Sequence, residues 1–197
     1  MATAPRLRSN GAGIRRGTIG LEPGRVCVQP YSAAWAAAFR RECLRLRRRL
    51  AGFNAQIEHI GSTAVPGLDA KPIIDIAVRL TSLRHLPEII PRLESLGYQY
   101  KGEFGLRGRH FFTRGDPVTH HVHVVSRASK HWARWLTFRD HLRTHPEQAR
   151  RYVLLKRRLA KLYASNRYAY TRAKTAFVEA ILRASARGKN KKTKIQS

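Results

Sequence analysis

Trp35, Phe39, Cys43, Leu46 and Leu50 recur at steps of three and four residues, the period at which one face of an α-helix meets a core. The spacing predicts a helix over residues 33–50, with Ser32 placed to cap its first turn. Two β-branched runs follow, 56–60 and 73–78, joined by the turn Gly61-Ser62-Thr63-Ala64-Val65-Pro66-Gly67; they predict neighbouring strands. Residues 84–96 predict a second helix, with Gly97 suited to the left-handed position beyond its end. Residues 104–113 and 120–126 predict two more strands, the latter alternating His121, His123 and Val125 against His120, Val122 and Val124. Residues 131–145, 146–164 and 167–186 predict closing helices, the second with Pro146 in its first turn. The order implies an α+β (α/β) fold, a mixed β-sheet with flanking helices and a helical C-terminal third.

The ends of the chain lack this patterning. Residues 1–24 hold Arg6, Arg8, Arg15 and Arg16 with no acid before Glu22, and residues 187–197 hold Lys189, Lys191, Lys192 and Lys194. Both read as disordered basic arms flanking one domain over 25–186. At 197 residues, 43% hydrophobic and 26% charged, the chain suits one globular core.

Charge changes the picture more. Lys and Arg number 39 against 12 acids, a formal net charge of +27, which favours polyanions: nucleotides, and RNA through the basic tails. An Arg-rich source genome would leave the same surplus without a function. The crowded arginines of the first helix (Arg40, Arg41, Arg45, Arg47, Arg48 and Arg49) read as a solvated face or a polyanion patch. Cys27 and Cys43, without a CxxC or Cys/His cluster, indicate neither a disulfide framework nor a thiolate zinc site. A reducing, cytoplasmic setting is expected. No apolar run approaches the ~20 residues that span a bilayer, so no membrane partner is expected.

Candidate chemistry gathers between Gly61 and Asp75. A Gly-Ser turn can offer backbone N–H groups and a hydroxyl to a phosphate. Asp75 interrupts the apolar run Ile73-Ile74-Asp75-Ile76-Ala77-Val78, where an ionised carboxylate needs a cleft, a cation or hydrogen-bond donors. The alternative is a strand-edge acid facing solvent.

The segments His59-Ile60-Gly61-Ser62-Thr63-Ala64-Val65-Pro66-Gly67-Leu68 and Lys71-Pro72-Ile73-Ile74-Asp75-Ile76 resemble the signature of the GrpB family. Supporting matches are Pro30-Tyr31 with Trp35 and Phe39, Leu96-Gly97-Tyr98, His121-Val122-His123-Val124, Phe138-Arg139-Asp140 with Leu142, Tyr152 with Lys156, and Tyr170 with Lys174 and Phe177. The resemblance implies a nucleotidyltransferase-like fold. It implies a protein that binds a nucleoside triphosphate and transfers a nucleotidyl group to an acceptor, with Asp75 as the catalytic acid on a divalent metal. The runner-up reading is a non-catalytic nucleotide- or RNA-binding module, and the third an accessory domain like the one appended to dephospho-coenzyme A kinase.

The departures bear on the metal. Active enzymes of that superfamily pair carboxylates two residues apart and add a third on a later strand, but this chain has Ala77, then His121 and His123. Either Asp75 with His123, and His121 or His59, holds Mn²⁺ or Zn²⁺ in place of Mg²⁺, or the site keeps phosphate binding alone. Expected phosphate ligands are Gly61, Ser62, Lys71, Arg109 and Lys156, with Arg107 and Arg114 as further clamps and Lys174 facing the same cleft. Trp132, Trp135, Tyr152 and Phe177 read as helix-packing anchors rather than base-stacking platforms. Ser62, Asp75 and His123 should converge on one cleft at the sheet's edge, with Asp75 and His123 on adjacent strands.

Overall fold

The computed structural model describes residues 19–195, with side chains described through residue 187. The helices are α1 (Ala34–Arg49), α2 (Leu86–Glu94), α3 (Lys130–Thr144), α4 (Pro146–Leu162), α5 (Arg167–Ala173) and α6 (Thr175–Ile195). The strands are β1 (Gln56–Ile60), β2 (Ile74–Leu80), β3 (Tyr98–Tyr100), β4 (Arg109–Arg114) and β5 (His120–Ser126). They form one mixed sheet in the order β1-β2-β5-β4-β3. Only β2 and β5 run parallel; the other neighbours are antiparallel.

Strand alternation divides the molecule into two layers around the sheet. One face sends Ile74, Ile76, Val78, Val122, Val124 and Phe112 against Trp35, Ala38, Cys43 and Leu46 of α1 and Ile89 and Leu93 of α2. On the other face Ile60, Ala77 and Val125 pack on Trp132 of α3. Val65 and Leu68 meet Leu142, Tyr152 and Ile181 of the C-terminal helices. The C-terminal third is thus the second layer, and Trp132, Tyr152 and Phe177 serve as packing anchors, Tyr152 and Phe177 stacking at 5.1 Å.

Helix signals lie close to their expected places. Ser32 Oγ accepts the Ala34 N–H at 3.3 Å, and Gly97 has φ 86° beyond α2. Three expectations fail. Residues 104–108 are not strand: Gly105, Gly108 and Phe104 all have positive φ, so the chain turns before entering β4, and the three-residue β3, too short to show alternation, was not foreseen. Residues 187–195 are not a disordered tail but continue α6, as a stretch rich in Lys with no proline can. Residues 19–24 are not a free arm. Gly20 N–H donates to Pro72 O at 2.7 Å, and Leu21, bridged to Val118, is 3% exposed, because Ile19 and Leu21 supply the apolar surface that the rest of the arm lacks. The expectation for residues 1–18 lies outside the described residues. Among the described residues, no helix is long and apolar enough to cross a membrane.

Candidate active site

The candidate site lies over the two parallel strands, on the face that the C-terminal helices pack against. Asp75 of β2 is opposite His121 of β5, and Ala77 is opposite His123; in a parallel ladder such partners share a face. The site therefore sits at the sheet's centre. The expected edge location was wrong, because β1 pairs with β2 on one side and β4 with β5 on the other. Adjacency and common face hold as expected. His121 Nδ1 is 2.7 Å from Asp75 Oδ1, and His123 Nε2 is 3.6 Å from the same oxygen.

The proton on His121 can be placed. The Arg167 guanidinium, which only donates, lies 2.8 Å from His121 Nε2. That nitrogen accepts, so Nδ1 carries the hydrogen and donates to Asp75. Burial lowers His121 to about 4, against the opposing pull of Asp75. Burial also lowers His123. For Asp75, burial pushes the carboxyl up, but the hydrogen bond from His121 and the nearby His123 ring outweigh it and hold the group well below the usual carboxylate range. At neutral pH the cluster is one carboxylate with two neutral imidazoles.

Gly61 begins the turn against this carboxylate. Its φ is 69°, and a Cβ there would stand 2.8 Å from Asp75 Oδ2, so only glycine allows both the turn and the approach. Ser62–Ala64 form a short 3-10 turn.

Basic residues gather near the acid. Lys71, Arg109, Arg167 and Lys174 each feel the Asp75 charge. Lys71 and Lys174 share the Tyr170 ring, 5.4 and 4.3 Å from its centroid. Burial, reinforced by Lys174 and Arg167, lowers Lys71 to about 7; burial lowers Lys174 to about 8. Lys156 is 2% exposed, lowered to about 7 by burial and by Lys174, and its ammonium donates to Asp69 O. Arg109 Nε is buried and finds no partner among the described residues, and the same is true of His123 Nδ1.

Other expected ligands lie elsewhere. Arg114 is on the opposite face, where it pairs with Glu42 at 2.8 Å; strand alternation puts it one step out of phase with Arg109's partners. Arg107 is exposed, and its carbonyl accepts from His131. His59 pairs in register with Ile76, not Asp75. It stacks on Phe39 at 4.5 Å and bonds Thr63 at 3.0 Å, so it is absent from the cluster. Arg167 was missed. It starts a seven-residue helix with no long apolar period, and nothing local in the sequence ties it to a histidine 46 positions away. Phe111, 5.0 Å from both His121 and His123, was read only as strand.

The donor set bears on a metal. The ligand atoms of Asp75, His121 and His123 lie within 4.8 Å of one another. One carboxylate and imidazoles suit Mn²⁺ or Zn²⁺ better than Mg²⁺, which favours oxygen ligands. With His121 held between Asp75 and Arg167, Asp75 and the under-bonded His123 are the residues that fit an ion.

The GrpB protein family model matches residues 25–184. The chain belongs to the GrpB family. A UPF0157 protein of Pseudomonas aeruginosa is 46% identical over 164 residues, 80% of this chain and 66% of that protein. The glutamate-rich protein GrpB of Alkalihalophilus pseudofirmus is 32% identical over 170 residues, 83% of this chain and 98% of that protein. This GrpB-family chain spans 66% and 44% of the length of the first two curated relatives it matches. Among solved structures, the conserved protein GrpB from Enterococcus faecalis superimposes with TM-score 0.77 at 36% identity, covering 82% of this chain and 98% of that one. The Cid1 poly(U) polymerase aligns more loosely, at TM-score 0.49 and 17% identity over 68% of this chain and 44% of that one.

Proposed function

We propose that this protein is a cytoplasmic nucleotide-binding protein that takes the polyphosphate of a nucleoside triphosphate into the cleft over β2 and β5. The observation that carries this reading is the gathering of cations beside a single carboxylate: Arg167 on His121 at 2.8 Å, Lys71 and Lys174 on the one Tyr170 ring, and Arg109 over Phe111. Four basic groups beside one carboxylate leave surplus positive charge in a partly exposed site. A polyanion is the complementary guest. Gly61 and Ser62 add a turn of the kind that presents N–H groups and a hydroxyl to phosphate.

Nucleotidyl transfer is the reaction such a site would serve. An acceptor oxygen would bond to the α-phosphorus as the bond to the departing oxygen breaks and pyrophosphate leaves. Asp75 and His123 would hold a divalent ion, Mn²⁺ or Zn²⁺ before Mg²⁺, which supplies charge to the phosphate oxygens. One observation favours a second reading, a nucleotide- or RNA-binding module without transfer: where the superfamily's second acid would stand the chain has Ala77, fully buried against Ile60, Val125 and Trp132.

Labelled nucleoside triphosphates, offered with Mg²⁺, Mn²⁺ or Zn²⁺ and candidate acceptors, separate the readings. Binding should fall at least tenfold in Lys174→Ala, and its metal dependence should vanish in Asp75→Asn. Label recovered on an acceptor, and lost in Asp75→Asn, marks the transferase; tight binding without transfer marks the module. Affinity unaffected by Lys174→Ala would remove the basis of both.

A further inference from the structure

The β3–β4 loop carries an aromatic side chain in an unusual setting. Phe104 has φ 46°, a conformation uncommon for any residue with a side chain and an outlier for a bulky one. Such backbones persist where the surroundings over-determine them, and they cluster at ligand clamps. Gly102, Gly105 and Gly108, also at positive φ, let the chain fold tightly around this position. Phe104 as a whole is 69% exposed, although burying its ring would be favourable.

The loop is held on several sides. Gly108 N–H donates to Glu103 Oε1 at 2.6 Å, Phe111 N–H donates to Gly102 O at 2.9 Å, and His131 Nε2 lies 3.1 Å from Arg107 O. Arg109 donates to Glu103 O at 2.9 Å and to Phe104 O at 2.8 Å. Arg109 also belongs to the basic group near the acid, and its guanidinium lies over Phe111, 4.8 Å from the ring centroid. One residue thus ties the phosphate side of the cleft to the loop bearing Phe104.

The aromatic path runs outward from the acid. His121 and His123 each lie 5.0 Å from Phe111, and Phe104 stacks on Phe111 at 5.3 Å with 25° between planes. One face of Phe104 is therefore covered, and the ring otherwise opens to solvent at the rim.

We propose that Phe104 is the base-stacking residue of the cleft, receiving the nucleobase of a ligand whose phosphates occupy the Arg109, Arg167, Lys71 and Lys174 group. The inference rests on the nucleotide reading of that site. Stacking is tolerant of base identity because every base has a π-face, so Phe104 adds affinity for nucleosides over bare polyphosphate with little choice among bases.

The test compares inorganic triphosphate with ATP, GTP, CTP and UTP by calorimetry, on the wild type, Phe104→Ala, Phe104→Gly and Phe104→Trp. The wild type should bind all four nucleotides about tenfold or more tightly than inorganic triphosphate, the gain a base–aromatic stack brings. Phe104→Ala should lose that gain and keep its affinity for inorganic triphosphate. Phe104→Gly, which adopts the positive φ without strain, should behave alike, so damage to the loop cannot account for the loss. Phe104→Trp should retain the gain. Equal affinity of the wild type for nucleotide and inorganic triphosphate, nucleotide affinity preserved in Phe104→Gly, or parallel losses for both probes would each overturn the role of Phe104. A wild type that binds no inorganic triphosphate would instead overturn the reading of the basic group.

Discussion

Three neighbouring lysines, each with its charge disfavoured by burial, give the site a pH signature. Lys71 and Lys156 fall to about 7 and Lys174 to about 8, whereas an unfolded lysine titrates near 10.4. Between these limits the unfolded chain binds more protons than the folded one, so these groups make stability rise with pH. Their penalty is fully present below about pH 7 and is relieved as pH climbs toward 10. Anion binding has the opposite sign, because a polyphosphate needs the protonated ammoniums. Without ligand, the melting temperature should therefore rise from pH 7 to 9.5, while affinity for inorganic triphosphate falls about tenfold or more. Thermal scans and calorimetry across that range check both, and Lys174→Met should flatten both curves. An affinity that stays level from pH 7 to 9.5 would mean that the lysines do not contact the anion.

At the scale of elements, β2 and β5 make the site, and the helices on the two faces of the sheet have separate tasks. Glu42 of α1 is buried and accepts from Tyr98 Oη at 3.0 Å and Arg114 at 2.8 Å, tying α1 to β3 and β4 on the face away from the cleft. Glu42→Ala leaves Arg114, 17% exposed, without its carboxylate, and should cost about 3 kcal/mol in urea denaturation. Nucleotide affinity at moderate temperature should remain, since the network lies across the sheet from Asp75; a matched loss of affinity would show the two faces to be coupled. Sequence conveyed much of this architecture, because α1, β2 and β5 have strong apolar periods and Asp75 is conspicuous among isoleucines. The Asp75–His121–His123 cluster was legible because alternation fixes which residues share a face. Strand order is not encoded in alternation, so the site was misplaced to an edge; His59 as a ligand and Arg114 as a clamp failed for another reason, since each points to the opposite face of the sheet. Arg167 and Phe104 were invisible for a different reason: a short helix start and a glycine-rich loop have no period, and only tertiary contact gives them a place.

For the whole molecule the question is whether the formal +27 serves the cleft or acts on its own. The cleft accounts for few of these charges. Arg6, Arg8, Arg15 and Arg16 lie near the start of the chain, and Lys189, Lys191, Lys192 and Lys194 near its end, with no acid among residues 1–18 or 188–197. If RNA associates through these flanks, the binding is electrostatic, and each phosphate contact removed should flatten the dependence of log K on log salt by about 0.7 for single strands. Deleting residues 1–18 and 188–197 should therefore weaken single-stranded RNA binding and reduce its salt slope together, while affinity for nucleoside triphosphate in the cleft stays near wild type. Asp75→Asn should do the reverse, removing metal-dependent nucleotide binding and sparing RNA. Both ligands measured on both variants across a salt series give a two-by-two comparison in which bulk charge and specific chemistry move different cells. If the deletion leaves the RNA salt slope unchanged, the flanks are not the RNA contact, and the arginine face of α1 becomes the polyanion surface to test. If Asp75→Asn leaves metal-dependent nucleotide binding intact, the cleft loses its central residue, and the surplus charge, rather than the acid it surrounds, becomes the better account of what this fold binds.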